Sequence, residues 1–504
     1  MAGPYVIGVD GGTESLRAGL FDLAGTPLGF ASTRYPTDFP NPGWAEQDPG
    51  DWWRATGASV RQVLADAKAA PGDVAAIAVD TTCCSVVALD GFGTPIRPAL
   101  IWMDVRSGAE AARVAASGDP ALKINGAGHG PVSAEWMVPK ALWLKENEPA
   151  TFDRAVHICE YQDFLNFQLT GRMVASISNA AVRWHYDSRG GGYQPGLLGR
   201  LGLDALLDKW PREVLELGAV IGGLTPRAAE HLGLPPGLPV AQGGSDAFIG
   251  MIGLGVVRPG RLAFITGSSH LHLGLSETEF HGKGVWGTYP DAVMPGLHVV
   301  EGGQTSTGSV VSWFKSLLGE DVTYERLNEE AAALPPGAEG LVVLDHFQGN
   351  RTPYTDPNSR GVISGLTLKH GPAHIFRAII EGVSFGTELI LETMRGTGFR
   401  PTDVVVAGGA TRSDLWLQIH ADVSDLPLSL TRVADAPALG SAILAAVGAG
   451  LYDDIAGAAD AMVEVVRTVE PDPARHEAYR PIYQVYKDTY PALAHLLHRQ
   501  AGAA

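Results

Sequence analysis

The chain has 504 residues, 45% of them hydrophobic, with 63 glycines and 34 prolines, which excludes a disordered or fibrous protein and favours a globular α/β enzyme of two large lobes. A formal charge of −18 repels phosphate backbones and anionic lipid, so nucleic acid and membranes are set aside as partners and small molecules favoured. Only Cys83, Cys84 and Cys159 are cysteines, which leaves no disulfide framework and no paired-cysteine metal site, and without a leader or a run of about 18 apolar residues a cytoplasmic location is expected.

Tyr5 to Asp10 reads as a buried strand, Gly11-Gly12-Thr13-Glu14-Ser15 as a polar glycine turn, and Leu16 to Phe21 as the returning strand, with Leu28 to Ser32 completing a meander. Such a turn offers N–H groups and hydroxyls to a phosphate, and Asp10 beside it suits a magnesium ion held through water; an ordinary hairpin tip is the competing reading. Asp48-Pro49 opens a helix with Trp52, Val60, Val63 and Leu64 on one side, and the strand Val74 to Val79 follows, ending in Asp80. The small side chains of Thr81 to Ser85 shape a pocket wall, with Cys83 and Cys84 read as packing groups. Trp102, Asp104 and Arg106 bring together an aromatic face, a carboxylate and a guanidinium, as a polyhydroxylated ligand requires. The helix after Ser133 carries Lys140 near its start, where a cation opposes the macrodipole and a functional reason is favoured.

A short apolar strand then ends in Gly243-Gly244, and Asp246 heads the helix beyond, at a strand's carboxyl end where bare backbone admits a ligand. A helix cap is the competing reading. Glycine and proline at 222–226 and 235–237 place the lobe boundary near residue 250, giving lobes of 1–249 and 250–504. Arg261 to Leu275 repeats the opening pattern of strand, glycine-hydroxyl turn (Thr266, Gly267, Ser268) and strand, which marks an internal duplication with both turns on one cleft. Glu301 to Gly308 is expected to bring a carboxylate and several donors, Gln304 among them, to a helix N-terminus. Pro372 to Gly396 reads as one long helix, so its Gly382-Val383-Ser384-Phe385-Gly386 is not a hydrolase elbow, which needs a preceding strand. Val404 to Val406 is a strand running into Gly408 and Gly409, bare enough to lie under an adenine ring, with Ser413 at the next helix. Asp435 to Ala442 opens a small-residue helix suited to close packing between lobes. Neither a P-loop nor a dinucleotide fingerprint explains the glycines.

With Gly361-Val362-Ile363-Ser364-Gly365-Leu366, His374-Ile375, Ala378-Ile379-Ile380 and Glu381 at the spacing of a known signature, the chain resembles the FGGY family of carbohydrate kinases over nearly its whole length. An earlier signature is partly kept: Lys140, Trp143, Leu144, Glu146 and Asn147 fit, whereas Met137 and Ala141 depart from it. The resemblance implies an actin-like (ribonuclease H-like) α/β fold of two similar lobes around a cleft that closes on sugar and ATP with magnesium. It implies Asp246 as general base, Asp10 at the metal, Gly11 to Thr13 and Thr266 to Ser268 as phosphate turns, and Gln304, Gly408, Gly409 and Ser413 at the nucleotide. Cys83, Trp102, Asp104, Lys140, Asp246 and Glu301 are then the sugar-binding candidates. Within the family, Asp80-Thr81-Thr82-Cys83-Cys84, the stretch from Ser133 to Lys140 and the Glu301 motif are similar to ribulokinases rather than xylulokinases or glycerol kinases. The implied activity is ATP-dependent phosphorylation of a pentulose on its terminal hydroxyl. Ribulose is the first candidate and xylulose or a small polyol the alternative; a non-catalytic sugar or nucleotide sensor is the rival of another class. Sugar and ATP are the expected partners, with a homodimer as the candidate assembly.

Overall fold

The computed structural model describes residues 3–124, 132–319 and 321–502. Its first sheet opens with the antiparallel meander β1 (Tyr5–Gly11), β2 (Ser15–Phe21) and β3 (Pro27–Arg34). Helix α1 (Pro49–Ala67) follows, capped by Asp48 through Gly50 N at 2.8 Å, and buries Trp52, Val60, Val63 and Leu64 as the spacing predicts. Strand β4 (Val74–Thr81) pairs in parallel with β1. Further along come α2 (Met137–Asn147), α3 (Ile177–Arg183), β5 (Val220–Gly223) and β6 (Pro239–Ala241), the last parallel to β4 and edged antiparallel by β5. The spatial order is β5-β6-β4-β1-β2-β3.

After α4 (Asp246–Gly253), the second sheet repeats this plan. Its strands are β7 (Arg261–Thr266), β8 (His270–Ser276), β9 (Trp286–Pro290), β10 (His298–Gln304), and, beyond helices α5 (Gly308–Ser316), α6 (Tyr324–Ala332) and α7 (Pro372–Thr397), β11 (Asp403–Gly408). Helix α8 (Asp414–Ser424), β12 (Leu428–Thr431), α9 (Ala436–Gly448) and β13 (Val465–Val469) complete it. Strands β7, β8 and β10 form an antiparallel meander, β11 and β12 add in parallel to β7, and β13 closes the edge antiparallel. Both sheets therefore contain a three-stranded antiparallel unit, two parallel strands and one antiparallel edge strand, as the repeated turn implied, and the second adds β9 antiparallel outside β10.

One apolar core joins the lobes. Val6, Ala76 and Ala78 of the first sheet, Ala263, Leu273 and Val405 of the second, Phe248, Ile249 and Ile252 of α4 and Leu439, Ala442 and Ile443 of α9 belong to a single buried cluster. Helix α9, late in the chain, thus lies against the first sheet, and its small residues allow the close approach. Helix α7 runs unbroken through Ser384, whose hydroxyl donates to the Ile380 carbonyl at 2.9 Å, so no hydrolase elbow exists there. Glu301 departs from expectation. It stands in mid-strand in β10, not at a helix start; Gly302 beside it lies under α7, where a Cβ would fall 2.6 Å from Ile390. Among the described residues no helix is long and apolar enough to cross a membrane.

Candidate active site

Strand β6 runs into Gly243, where a Cβ would sit 1.9 Å from the Val79 carbonyl of β4, so only glycine lets the two strand ends meet. Thr81 N donates to Gly244 O at 3.0 Å, and Asp246 is set down as the first residue of α4 with Oδ1 accepting from Ala247 N at 2.7 Å. Asp10 ends β1 and Asp80 ends β4, in register with each other, so three carboxylates converge at the carboxyl ends of three parallel strands. Burial pushes the Asp246 carboxyl up to about 6. Burial, followed by the charges of Asp435 and Asp246 and partly offset by Arg17, pushes Asp10 to about 7. Asp80 is raised by burial and then by Asp10. Its Oδ2 accepts from Ser441 of α9 at 2.6 Å, while Oδ1 has no partner. Asp435, capping α9, pairs with Arg17 of β2, so α9 is tied to this cluster twice.

Three side chains pin the first glycine turn. Tyr35 donates to Gly12 O, Gln47 Nε2 donates to Thr13 O at 2.7 Å, and Trp102 Nε1 donates to Thr13 Oγ1 at 2.9 Å. Trp102 keeps 37% of its surface exposed, so its ring still faces outward. The second turn is docked on α5: Thr307 N and Ser309 Oγ donate to Ser268 O at 3.0 and 2.9 Å, and Gly308 N donates to Gly267 O at 3.1 Å. Behind it lies a cavity of about 760 Å³ lined by Thr266, Gly267, Ser268, Gly409 and Ser413, with Val311, Tyr324, Asn328, Phe376 and Trp416 supplying much of the wall. That is the size and mixed lining of a small-molecule site. Asn328, Tyr324 and Phe376 were missed in the sequence because they come from α6 and α7, which carry no motif at those positions.

Other candidates prove to be committed within the protein. Thr266 Oγ1 donates to Ala407 O at 2.7 Å and accepts from Ala410 N at 3.1 Å, so it staples β7 to the end of β11. Gly408 holds φ +95° against it, and Gly409 alone of that pair faces open space. Ser413 caps α8 through Trp416 N and donates to Asn328 Oδ1 at 2.6 Å. Gln304 is turned away from the cavity: its amide nitrogen donates to Asp345 and Val383 O and its oxygen accepts from Thr387.

Three of the residues expected to contact a sugar are revised by the structure. Asp104 is fully buried, paired with Arg106 at 2.7 Å and accepting from Ala45 N at 2.7 Å, and so orders the loop without facing a ligand. Lys140 is also fully buried; its ammonium donates to the carbonyls of Cys84 at 2.8 Å, Ile101 at 2.6 Å and Leu100 at 3.5 Å. A buried cation needs such acceptors, which explains the lysine near a helix start without a ligand. Glu301 is held by Arg183 at 3.2 Å, Arg351 at 2.6 Å and Tyr289 at 2.9 Å, and these charges keep its carboxyl ionised despite burial. Arg183 lies on α3 of the first lobe, so this pair crosses between lobes. Cys83 remains partly exposed beside Cys84, Trp136 and Trp286. Glu160, which no motif marked, accepts from Cys84 N at 2.8 Å and Trp184 Nε1 at 2.5 Å, and burial pushes it to about 7.

Two duplicated lobes, one glycine-hydroxyl turn in each, carboxylates at the strand ends and a cavity behind the second turn define an actin-like phosphotransferase. The family model for the FGGY family of carbohydrate kinases, N-terminal domain, matches residues 5–253, and that for the C-terminal domain matches 262–449. The chain belongs to this family and is an ATP-dependent sugar kinase. A ribulokinase from Geobacillus thermodenitrificans is 32% identical, over 96% of this chain and 94% of that protein. The FGGY carbohydrate kinase domain-containing protein of Homo sapiens is 30% identical, over 96% and 95%. Among solved structures, a xylulose kinase from Rhodospirillum rubrum is 30% identical with a TM-score of 0.86, covering 98% of this chain and all of that one.

Proposed function

We propose that the chain transfers the γ-phosphoryl group of ATP to the terminal hydroxyl of a pentulose, ribulose first, with Asp246 as the general base. The observation that carries this reading is Asp246 itself: a carboxyl at a helix start in the cleft, raised to about 6, is basic enough to take a hydroxyl proton and still ionised at neutral pH. The N-terminal lobe, residues 1–249, contributes the base and most of the sugar wall, and the C-terminal lobe, residues 250–504, the nucleotide cavity. Phosphoryl transfer depends mainly on positioning and charge neutralisation, and the backbone N–H groups around Gly12 and Gly267 suit that work. Magnesium fits the donor set: Asp80 Oδ1 is a buried acceptor without a partner, and Asp10 beside it is raised as crowded carboxylates are. Asp10, backed by Asp80, would hold the ion together with phosphate oxygens, since no three such side chains among the described residues form a cage by themselves. When bound, the ion supplies neutralisation of the phosphate charge.

Support for ribulose comes from relatives named ribulokinase, at 32% identity. Xylulose is the second reading, favoured by the Rhodospirillum rubrum enzyme named for that sugar. An ADP-release assay over D- and L-ribulose, D-xylulose, glycerol, erythritol and ribitol tests both. Ribulose should lead in kcat/KM; xylulose or glycerol ahead by about tenfold, 1.4 kcal/mol, overturns the ribulose assignment, and an absence of ADP release with every sugar overturns the kinase reading in favour of a sensor.

A further inference from the structure

The two adjacent cysteines are arranged for more than packing. Cys83 Sγ and Cys84 Sγ lie 3.6 Å apart, Cys83 partly exposed and Cys84 buried. Cys84 is held in the left-handed region, φ +64°, which a non-glycine residue adopts only when its surroundings impose it. Those surroundings are Glu160, accepting from Cys84 N at 2.8 Å, and Lys140, donating to Cys84 O at 2.8 Å. Arg183 acts on both thiols, but burial first, then Cys83 and Glu160, push the Cys84 thiol well up, so Cys84 is the protonated partner of the pair. Cys83, partly exposed, is the sulfur of the pair that a dissolved oxidant reaches first.

We propose that Cys83 and Cys84 form a reversible thiol switch, closed to an intramolecular disulfide by a peroxide. Cys83, giving up its thiol proton, attacks one peroxide oxygen; the S–O bond forms, the O–O bond breaks, and the departing hydroxide takes up that proton to become water. Cys84 then attacks the Cys83 sulfur, losing its proton; the S–S bond forms, the S–O bond breaks, and a second water leaves. Two thiols are oxidised and one peroxide is reduced to two waters. Adjacent residues have Cα atoms about 3.8 Å apart, short of the usual 4.4–6.8 Å of a bridge, so the ring is readily reduced by a dithiol. Closing it draws the Cys84 amide and carbonyl off Glu160 and Lys140 and displaces the wall of the cleft. The effect on activity rests on reading this wall as part of the sugar site; the closure itself does not.

The test treats the full-length protein with hydrogen peroxide, then dithiothreitol, and follows intact mass, the peptide carrying both residues, and sugar-dependent ADP release. The expected result is a peptide lighter by two hydrogens, closed to alkylation and restored by dithiothreitol. A loss of turnover of about tenfold or more should accompany it, as displacement of a positioning wall costs at least this much. Cys84→Ser should instead accumulate a sulfenate on Cys83 that a dione reagent captures, and Cys159→Ala should respond as the unaltered chain does. A peptide that keeps both thiols, or that gains oxygen without losing two hydrogens, overturns the switch. Closure with turnover unchanged overturns its regulatory consequence and, with it, the placement of this wall in the sugar site.

Discussion

Replacing Asp246 by Asn separates a catalytic carboxylate from a structural one, because the two readings move stability in opposite directions. The folded carboxyl titrates at about 6 against an ordinary 3.8, with burial as the leading cause. The folded state thus holds the proton more tightly than the unfolded chain, and the stability this gives is full below the ordinary value and lost as pH rises through about 6. A shift of about two pH units corresponds to ~3 kcal/mol against the ionised form, or about 1–2 kcal/mol once the partial exposure of the residue is allowed for. Asn has the same shape, keeps an acceptor for Ala247 N, and carries no charge to desolvate. At pH 8 the variant should therefore unfold a few degrees above the parent, with the difference vanishing near pH 4, while turnover falls about 10²-fold or more. In the parent, kcat should rise with pH through about 6, since the base must be ionised. Thermal unfolding at both pH values and ADP release with the best sugar make the measurement. A variant that keeps near-normal turnover, or that is less stable than the parent at both pH values, would falsify the assignment.

Three further outcomes are expected. Gly267→Val should fold, since a Cβ there meets nothing closer than 3.6 Å, and should raise the KM for ATP far more than that for sugar; equal rises in both would indicate misfolding. Lys140→Ala removes the ammonium donor from the carbonyls of Cys84, Leu100 and Ile101, of which Ile101 keeps Asp104 N at 2.9 Å, and should destabilise the protein by about 2–5 kcal/mol; denaturant unfolding unchanged from the parent would show that the ammonium is not structural. Binding of sugar with a non-hydrolysable ATP analogue should reduce the radius of gyration in solution scattering if, as proposed, one nucleotide engages the glycine turns of both lobes; an unchanged radius would count against closure.

Much of this protein was legible in the sequence because its signals are local. The meander at 5–34, its repeat from residue 261, the Asp48 cap and the long helix after Pro372 each follow from apolar period and turn chemistry within one short window. The Gly243-Gly244-Ser245-Asp246 stretch likewise announced a carboxylate at a strand's end. Tertiary structure alone decided which polar groups are free. Lys140, Asp104 and Glu301 look like ligand contacts in a list of residue types, yet each is spent on partners distant in the chain: carbonyls at 84, 100 and 101, the guanidinium of Arg106 with the amide of Ala45, and two arginines at 183 and 351. The same distance hid Ser441 beside Asp80, Asp435 beside Arg17, and Asn328 in the cavity behind the second turn. A side chain's chemistry is written in its own position, but its desolvation and its partners are set by segments that meet only when the two sheets close on α4 and α9.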